Sequence, residues 1–165
     1  MSTPADKRRH WLFKSEPDVY SIHDLERDKT TCWEGVRNYQ ARNLLRDEIQ
    51  TGDLVFFYHS NANPPAIAGM AEVCRSGYPD HTAWDQQAKY YDPKGRPGQP
   101  TWFMVDIRHL ETFAQPVTLT MLKQTPGLEE MMVTKRGTRL SVQPVTAQEW
   151  KIILGLARQG MPSLR

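Results

Sequence analysis

The chain has 165 residues, a formal net charge of +2 at pH 7 and a sequence pI of about 8.6. That length suits one domain with its own core. The mild basicity argues against a protein that grips duplex nucleic acid mainly by neutralising phosphates, since such domains cluster Lys and Arg above a pI of about 9. No stretch approaches the roughly 20 apolar residues of a membrane span, and Cys32 and Cys74 are too far apart for zinc-ligand spacing.

The first ten residues, MSTPADKRRH, are polar and charged with no apolar run behind them. They read as a disordered lead over residues 1–9, not a secretion signal, and with two reduced thiols the expectation is a cytoplasmic chain. HWLFK (His10 to Lys14) reads as a first strand. After Pro17, Ser21 and Asp24 form a weak capping box at the start of a short helix. CWEGVRNYQARNLLRDEI then places Trp33, Gly35 and Arg37 in front of an amphipathic helix capped by Asn38. Ala41, Leu44, Leu45 and Ile49 form its apolar stripe, and Gly52 is the expected stop.

DLVFFYHS (Asp53 to Ser60) is a central strand and NANPP a turn. AIAGMAEVCRS (Ala66 to Ser76) is a further strand, in which Gly69 signals a bulge or a close backbone approach. Residues 77–100 form a long connection rich in Pro, Gly and Tyr, with a short helix expected from Trp84 to Lys89. Connections of that length are more often functional than idle. Thr101 to Phe113 is a long strand, TLTMLKQ a short helix and PGLEEMMV a helical turn. Arg139 to Val145 is a last strand, and Thr146 caps a final helix that carries Trp150, Ile153, Leu154 and Ala157 on one face. The irregular alternation points away from a doubly wound parallel sheet. It favours an α+β fold with a curved, mostly antiparallel, barrel-like sheet and flanking helices.

Catalytic signatures are weak. There is no G-x-S-x-G, H-E-x-x-H, P-loop or G-x-G-x-x-G, and the five histidines are scattered. His59 and Ser60 are neighbours on a strand and so point to opposite faces. No metal and no cofactor is expected. Aromatics are abundant in turns, at Trp33, Tyr39, Tyr78, Trp84, Tyr90 and Tyr91. Such rings can stack on bases, and a helix start offers outward-facing N–H groups.

Taken together, HWLFKSEP, WEGVRNYQARN, GDLVFFYHS, AIAGMAEV, TWFMVDI and RLSVQPV resemble the EVE domain family of the PUA-like superfamily, over His10 to about Leu156. The resemblance implies a single domain over residues 10–158 with a tail at 159–165. It also implies a PUA-like pseudo-barrel that binds a modified nucleobase in RNA or DNA, or a free modified nucleoside, without catalysis. An RNA- or nucleoside-processing hydrolase of the ASCH type is the alternative that the superfamily offers. The partner is then a single-stranded or flipped nucleic acid or a small nucleoside, with no membrane, and the chain a monomer. Similarity to the YTH domains of the same superfamily assigns Lys14 and Ser15 to the end of the first strand, Trp33 to a cage wall and Asn38 to the helix start near the ligand. Glu16 departs from the YTH asparagine, and an ionised carboxylate suits an exocyclic amino group such as cytosine N4. Tyr78 or Tyr90 closes the second wall, Ser15, Asn38 and the backbone at Val36 read the base edge, and Arg37, Arg139 or Lys14 meets the phosphate. His59, Ser60 and Ser141 complete the candidate ligand-binding set.

Overall fold

Trp11, Leu12 and Phe13 are successive residues of β1 (His10–Ser15), and none has any exposed surface. A strand with one wet face cannot bury three neighbours in a row, so β1 must be covered on both sides. The computed structural model, which describes residues 8–159, shows how. β1 lies inside a six-stranded sheet of order β2-β5-β4-β3-β1-β6, where β2 is Thr30–Cys32, β3 Leu54–His59, β4 Ala66–Pro79, β5 Phe103–Thr118 and β6 Val142–Val145.

β1 pairs parallel with β3, Leu12 opposite Phe56 and Ser15 opposite His59. The other four pairings are antiparallel. The sheet is open, with β2 and β6 at its edges. The expected α+β class and largely antiparallel sheet are therefore found. The parallel pair requires a crossover, and α1 (Ile22–Asp28), β2 and α2 (Tyr39–Asp47) supply it.

Two cores follow from the pleat. Trp11, Phe13, Val55, Phe57, Val73 and Ile107 face one way, against Ile22 and Leu25 of α1 and Ala41 and Leu45 of α2. Leu12, Phe56, Tyr58 and Ile67 face the other, against Leu122 of α3 (Leu119–Gln124) and Trp150 and Ile153 of α4 (Ala147–Arg158). Trp150 stacks on Phe56 with ring centroids 3.6 Å apart. The caps are as expected: Ser21 and Asp24 exchange both capping-box bonds, Asn38 accepts from the Ala41 N–H, and Thr146 pairs with Glu149.

Several boundaries differ from the sequence reading. β4 runs on to Pro79 instead of stopping at Ser76, pairing Tyr78 with Met104. Gly77 sits within that extension because α2 crosses there, and a side chain would collide with the Leu45 carbonyl. Gly69 lies at register shifts in the β4 ladders, as expected. The helix expected at Trp84 to Lys89 is instead a 3₁₀ turn at His81–Trp84, because the Asp80 side chain caps Thr82 and begins the turn earlier. β6 is shorter than Arg139 to Val145, although the Lys14 N–H still donates to the Ser141 carbonyl at 2.8 Å. β2 has only three residues, too few to show a period. Residues 1–7 and 160–165, most of the expected lead and tail, lie outside the described residues.

Asp53, 3% exposed, fastens the start of β3. Its carboxylate accepts from the Trp11 indole at 2.9 Å, the Gln50 N–H at 2.9 Å and the Arg9 N–H at 3.1 Å. Asp53→Ala leaves three donors without this acceptor and is expected to cost about 2–3 kcal/mol in urea unfolding. A loss under ~0.5 kcal/mol, the scale of a surface change, would contradict this role.

Candidate functional site

Four segments meet on the α1/α2 side of the sheet. β1 ends at Lys14 and Ser15. β2 delivers Trp33, whose N–H donates to the Val105 carbonyl at 2.7 Å, just beyond the last ladder pair. Gly35 then turns the chain at φ +82° before α2 starts. The β4–β5 connection supplies Lys89 and Tyr90. Together they enclose a cavity of about 400 Å³, within the ordinary range for small-molecule sites.

Trp33 is half-buried. Its ring rests on Phe13, centroids 5.2 Å apart, and meets Phe57 edge-on at 5.5 Å, while the indole also lines the cavity. Tyr90 lies so close to Gly35 that an added Cβ would come within 2.5 Å of its ring. Glycine is thus required twice at position 35, by the positive φ and by the tyrosine.

The polar lining is differentiated. The Ser15 hydroxyl donates to the Tyr20 carbonyl at 2.6 Å, so toward a ligand it can only accept. Glu16 is exposed, with one carboxylate oxygen taking the Asn61 amide at 3.3 Å. Burial lowers the Lys14 ammonium pKa below its ordinary value, and its one side-chain hydrogen bond among the described residues is a long 3.4 Å bond to the Thr138 carbonyl. Ser141 lines the same cavity, as does the backbone at Val36. Cys32 lines it too, but burial, with Glu34 and Asp106 adding to it, raises its thiol pKa and keeps it protonated.

Asp80, fully buried, organises this region. One oxygen accepts from the Gly35 N–H at 2.8 Å and Arg37 Nη1 at 3.0 Å. The other accepts from the Thr82 N–H at 2.9 Å and the Thr82 hydroxyl at 2.5 Å. Burial pushes the carboxyl pKa up, but the Thr82, Gly35 and Arg37 hydrogen bonds and the Arg37 charge outweigh it and hold it below the ordinary value. Sequence reading misses Asp80; its one signal was the turn-forming Asp-x-Thr after Pro79.

Arg37 therefore has a task other than the expected phosphate contact. Nε and Nη2 both donate to the Tyr90 carbonyl, at 3.1 and 2.6 Å, and Nη1 reaches the Val36 carbonyl as well as Asp80. Four of its five N–H groups are thus committed and its charge is paired. It clamps the connection that carries Tyr90.

Other expected residues lie elsewhere. Asn38 spends its side-chain oxygen on the Ala41 N–H at 2.9 Å and does not line the cavity. Tyr78 is no second wall: its hydroxyl binds Asp106 at 2.5 Å and Arg75 covers its ring at 3.5 Å. Arg139 is exposed and outside the lining, because it precedes β6 instead of belonging to it. Ser60 continues the β1–β3 ladder, its N–H donating to the Ser15 carbonyl at 3.0 Å. His59 Nε2 accepts from the Ile22 N–H at 3.1 Å, at the start of α1. That lone pair is occupied, so His59 cannot serve Ser60 as a base. Among the described residues no group of three or more His, Cys, Asp or Glu side chains could hold a metal, and no helix is long and apolar enough to cross a membrane.

Two outcomes follow. Burial, reinforced by His23 and opposed by Asp24, lowers the His59 pKa below 6.5. Its contribution to stability is complete above that value and lost as pH falls from 6.5 toward the folded pKa. The urea midpoint should drop between pH 7.5 and 5.5 in the wild type and less in His59→Gln, whose amide oxygen can accept the same N–H; equal drops would rule this out. Arg37→Lys cannot reproduce the forked bond to Tyr90. Amide hydrogen exchange in the connection around Tyr90 should accelerate about tenfold, and unchanged exchange would show that the clamp is idle.

Comparison with known proteins agrees with this architecture. The EVE domain model matches residues 9–156. Human thymocyte nuclear protein 1 is 40% identical over 165 residues, covering 89% of this chain and 73% of that protein. A hypothetical protein from Leishmania major superposes with a TM-score of 0.88 at 44% identity, covering 94% of this chain and 98% of its own. Human THYN1 protein in complex with 5-methylcytosine-containing DNA superposes at 0.85 with 39% identity, covering 93% and 99%. A YTH domain of the Zygosaccharomyces rouxii MRB1 protein, 17% identical with a TM-score of 0.54, shares the fold. With residues 9–156 matched by the family model and a relative 40% identical over 89% of its length, the chain belongs to the EVE domain family.

Proposed function

We propose that this chain is a non-catalytic module that recognises a modified nucleobase, of the 5-methylcytosine type, in a single-stranded or flipped nucleic acid. The observation that carries the reading is the cavity shared by Trp33, Tyr90, Lys14, Ser15 and Glu16. It combines aromatic surface with acceptors and the Lys14 ammonium, which suits a flat ligand bearing an amino group and a carbonyl. Glu16 and Ser15 are acceptors for an exocyclic amino group, and Lys14 is a donor for a ring carbonyl. Val19 and Val36 add apolar surface for a methyl group. Lys89, at the mouth beside Tyr90, is the cation left for a phosphate once Arg37 is committed to its clamp.

The DNA complex of the THYN1 relative supports the same ligand class. Non-catalysis is supported by chemistry: the His59 lone pair is occupied and the Cys32 thiol is held protonated. The base must leave its stack, because duplex stacking hides both faces. Methyl burial adds about 0.8 kcal/mol, less than a tenfold preference over cytosine.

Titration of single-stranded DNA containing one 5-methylcytosine tests this. Trp33→Ala should weaken binding by about 1–3 kcal/mol, with a stability cost below the ~3–5 kcal/mol of deleting a core tryptophan. Glu16→Gln should weaken it about fivefold or more, since a neutral amide replaces a charge-assisted acceptor. Wild-type affinity in both variants would sink the reading.

A further inference from the structure

A second depression adjoins the cavity. It measures about 530 Å³, is lined by Tyr39, Tyr91, Lys94 and Trp102, and shares Arg37, Lys89 and Tyr90 with the first. Its floor is fixed. Trp102 is only 7% exposed, and its indole donates to Asp92 at 2.7 Å. Tyr39 tilts against that indole at 32° with centroids 5.0 Å apart.

Tyr39 nevertheless leaves 62% of its surface in water, and Tyr91 leaves 37%. Position 39 opens α2, where capping comes from Asn38 and the core stripe begins at Ala41. The tyrosine is therefore required neither for the helix nor for the core. Charge at the rim is positive. Lys89 and Lys94 form no ion pair among the described residues and together outweigh the one carboxylate in the lining, Asp92, which accepts from the Trp102 indole and the Lys94 N–H. The Arg42 guanidinium adds a cation 5.1 Å from the Tyr39 ring. An exposed aromatic ring resting on a buried indole, with Lys89 and Lys94 in the same lining, is an arrangement that binds single-stranded nucleic acid, with bases on rings and phosphates on the cations.

We infer that this groove is a second nucleotide subsite: it holds the nucleotide next to the base in the cavity, with that neighbour's base on Tyr39 and the joining phosphate between Lys89 and Lys94. The inference rests on reading the first cavity as a base site. Continuity supports it, because Tyr90 and Lys89 border both spaces and a strand leaving the cavity passes them. The subsite tolerates any neighbouring base, since every base has a stacking face. It gives the module a preference for a strand over a free nucleotide.

Two probes separate the subsite from the cavity: 5-methyl-2′-deoxycytidine 5′-monophosphate, and a single-stranded trinucleotide with 5-methylcytosine at its centre. Tyr39→Ala should bind the trinucleotide about tenfold more weakly, within the range of one stacked base, and the mononucleotide as the wild type does. Tyr39→Phe keeps the stacking face and should restore trinucleotide binding. If Tyr39→Ala binds both probes like the wild type while Trp33→Ala weakens both, the subsite is refuted and the base site stands. If Trp33→Ala leaves both unchanged, the base site fails and the subsite with it.

Discussion

The buried carboxylate of Asp80 receives four hydrogen bonds from three residues, and two of those residues belong to the turn between β2 and α2. A charge with no water around it is tolerated only when its lone pairs are filled and a counter-charge is near. Satisfying that requirement brings the end of β4 to Gly35 and Arg37. Arg37, fixed by Asp80 through Nη1, has Nε and Nη2 left to hold the Tyr90 carbonyl. Gly35, fixed through its N–H, leaves room for the Tyr90 ring. The far wall of the cavity is thus a consequence of one carboxylate, although Asp80 does not line that cavity.

The other wall depends on the sheet. Because β1 and β3 are covered on both faces, Phe13 and Phe57 form a dry bed, and Trp33 settles on it with part of its surface left to the cavity. The division of labour is physical. Phe13, Phe57 and Val105 fix where the indole sits, and the amphipathic ends of Lys14, Ser15 and Glu16 supply polarity at the rim where β1 leaves the core. A site built this way keeps its aromatic surface rigid, so little side-chain freedom is lost when a flat ligand binds.

Much of this was legible in the sequence. The caps at Ser21, Asn38 and Thr146 obey local rules that hold whatever the tertiary setting, and the structure shows each of them. The apolar runs of β1 and β3 announced buried strands. The cavity residues near the first strand and Trp33 were accessible because their motifs resemble a known family. What escaped depends on distant pairings. Tyr78 and Tyr90 look alike as loop tyrosines, yet one is taken by Asp106 and Arg75 and the other is held by Arg37. Arg37 looked like a free cation because its partner is 43 residues away. His59 looked available to a ligand because the Ile22 N–H that occupies it is 37 residues away.

In the proposed reading, Trp33 and Tyr90 wall a base site whose amino-group acceptor is Glu16. A crystal structure of the complex with single-stranded DNA carrying one 5-methylcytosine tests it most directly. The methylated base should lie inside the cavity, its ring against Trp33 and its amino group within hydrogen-bond reach of the Glu16 carboxylate. Density for the base anywhere else on the surface, with the cavity holding only solvent, would contradict it.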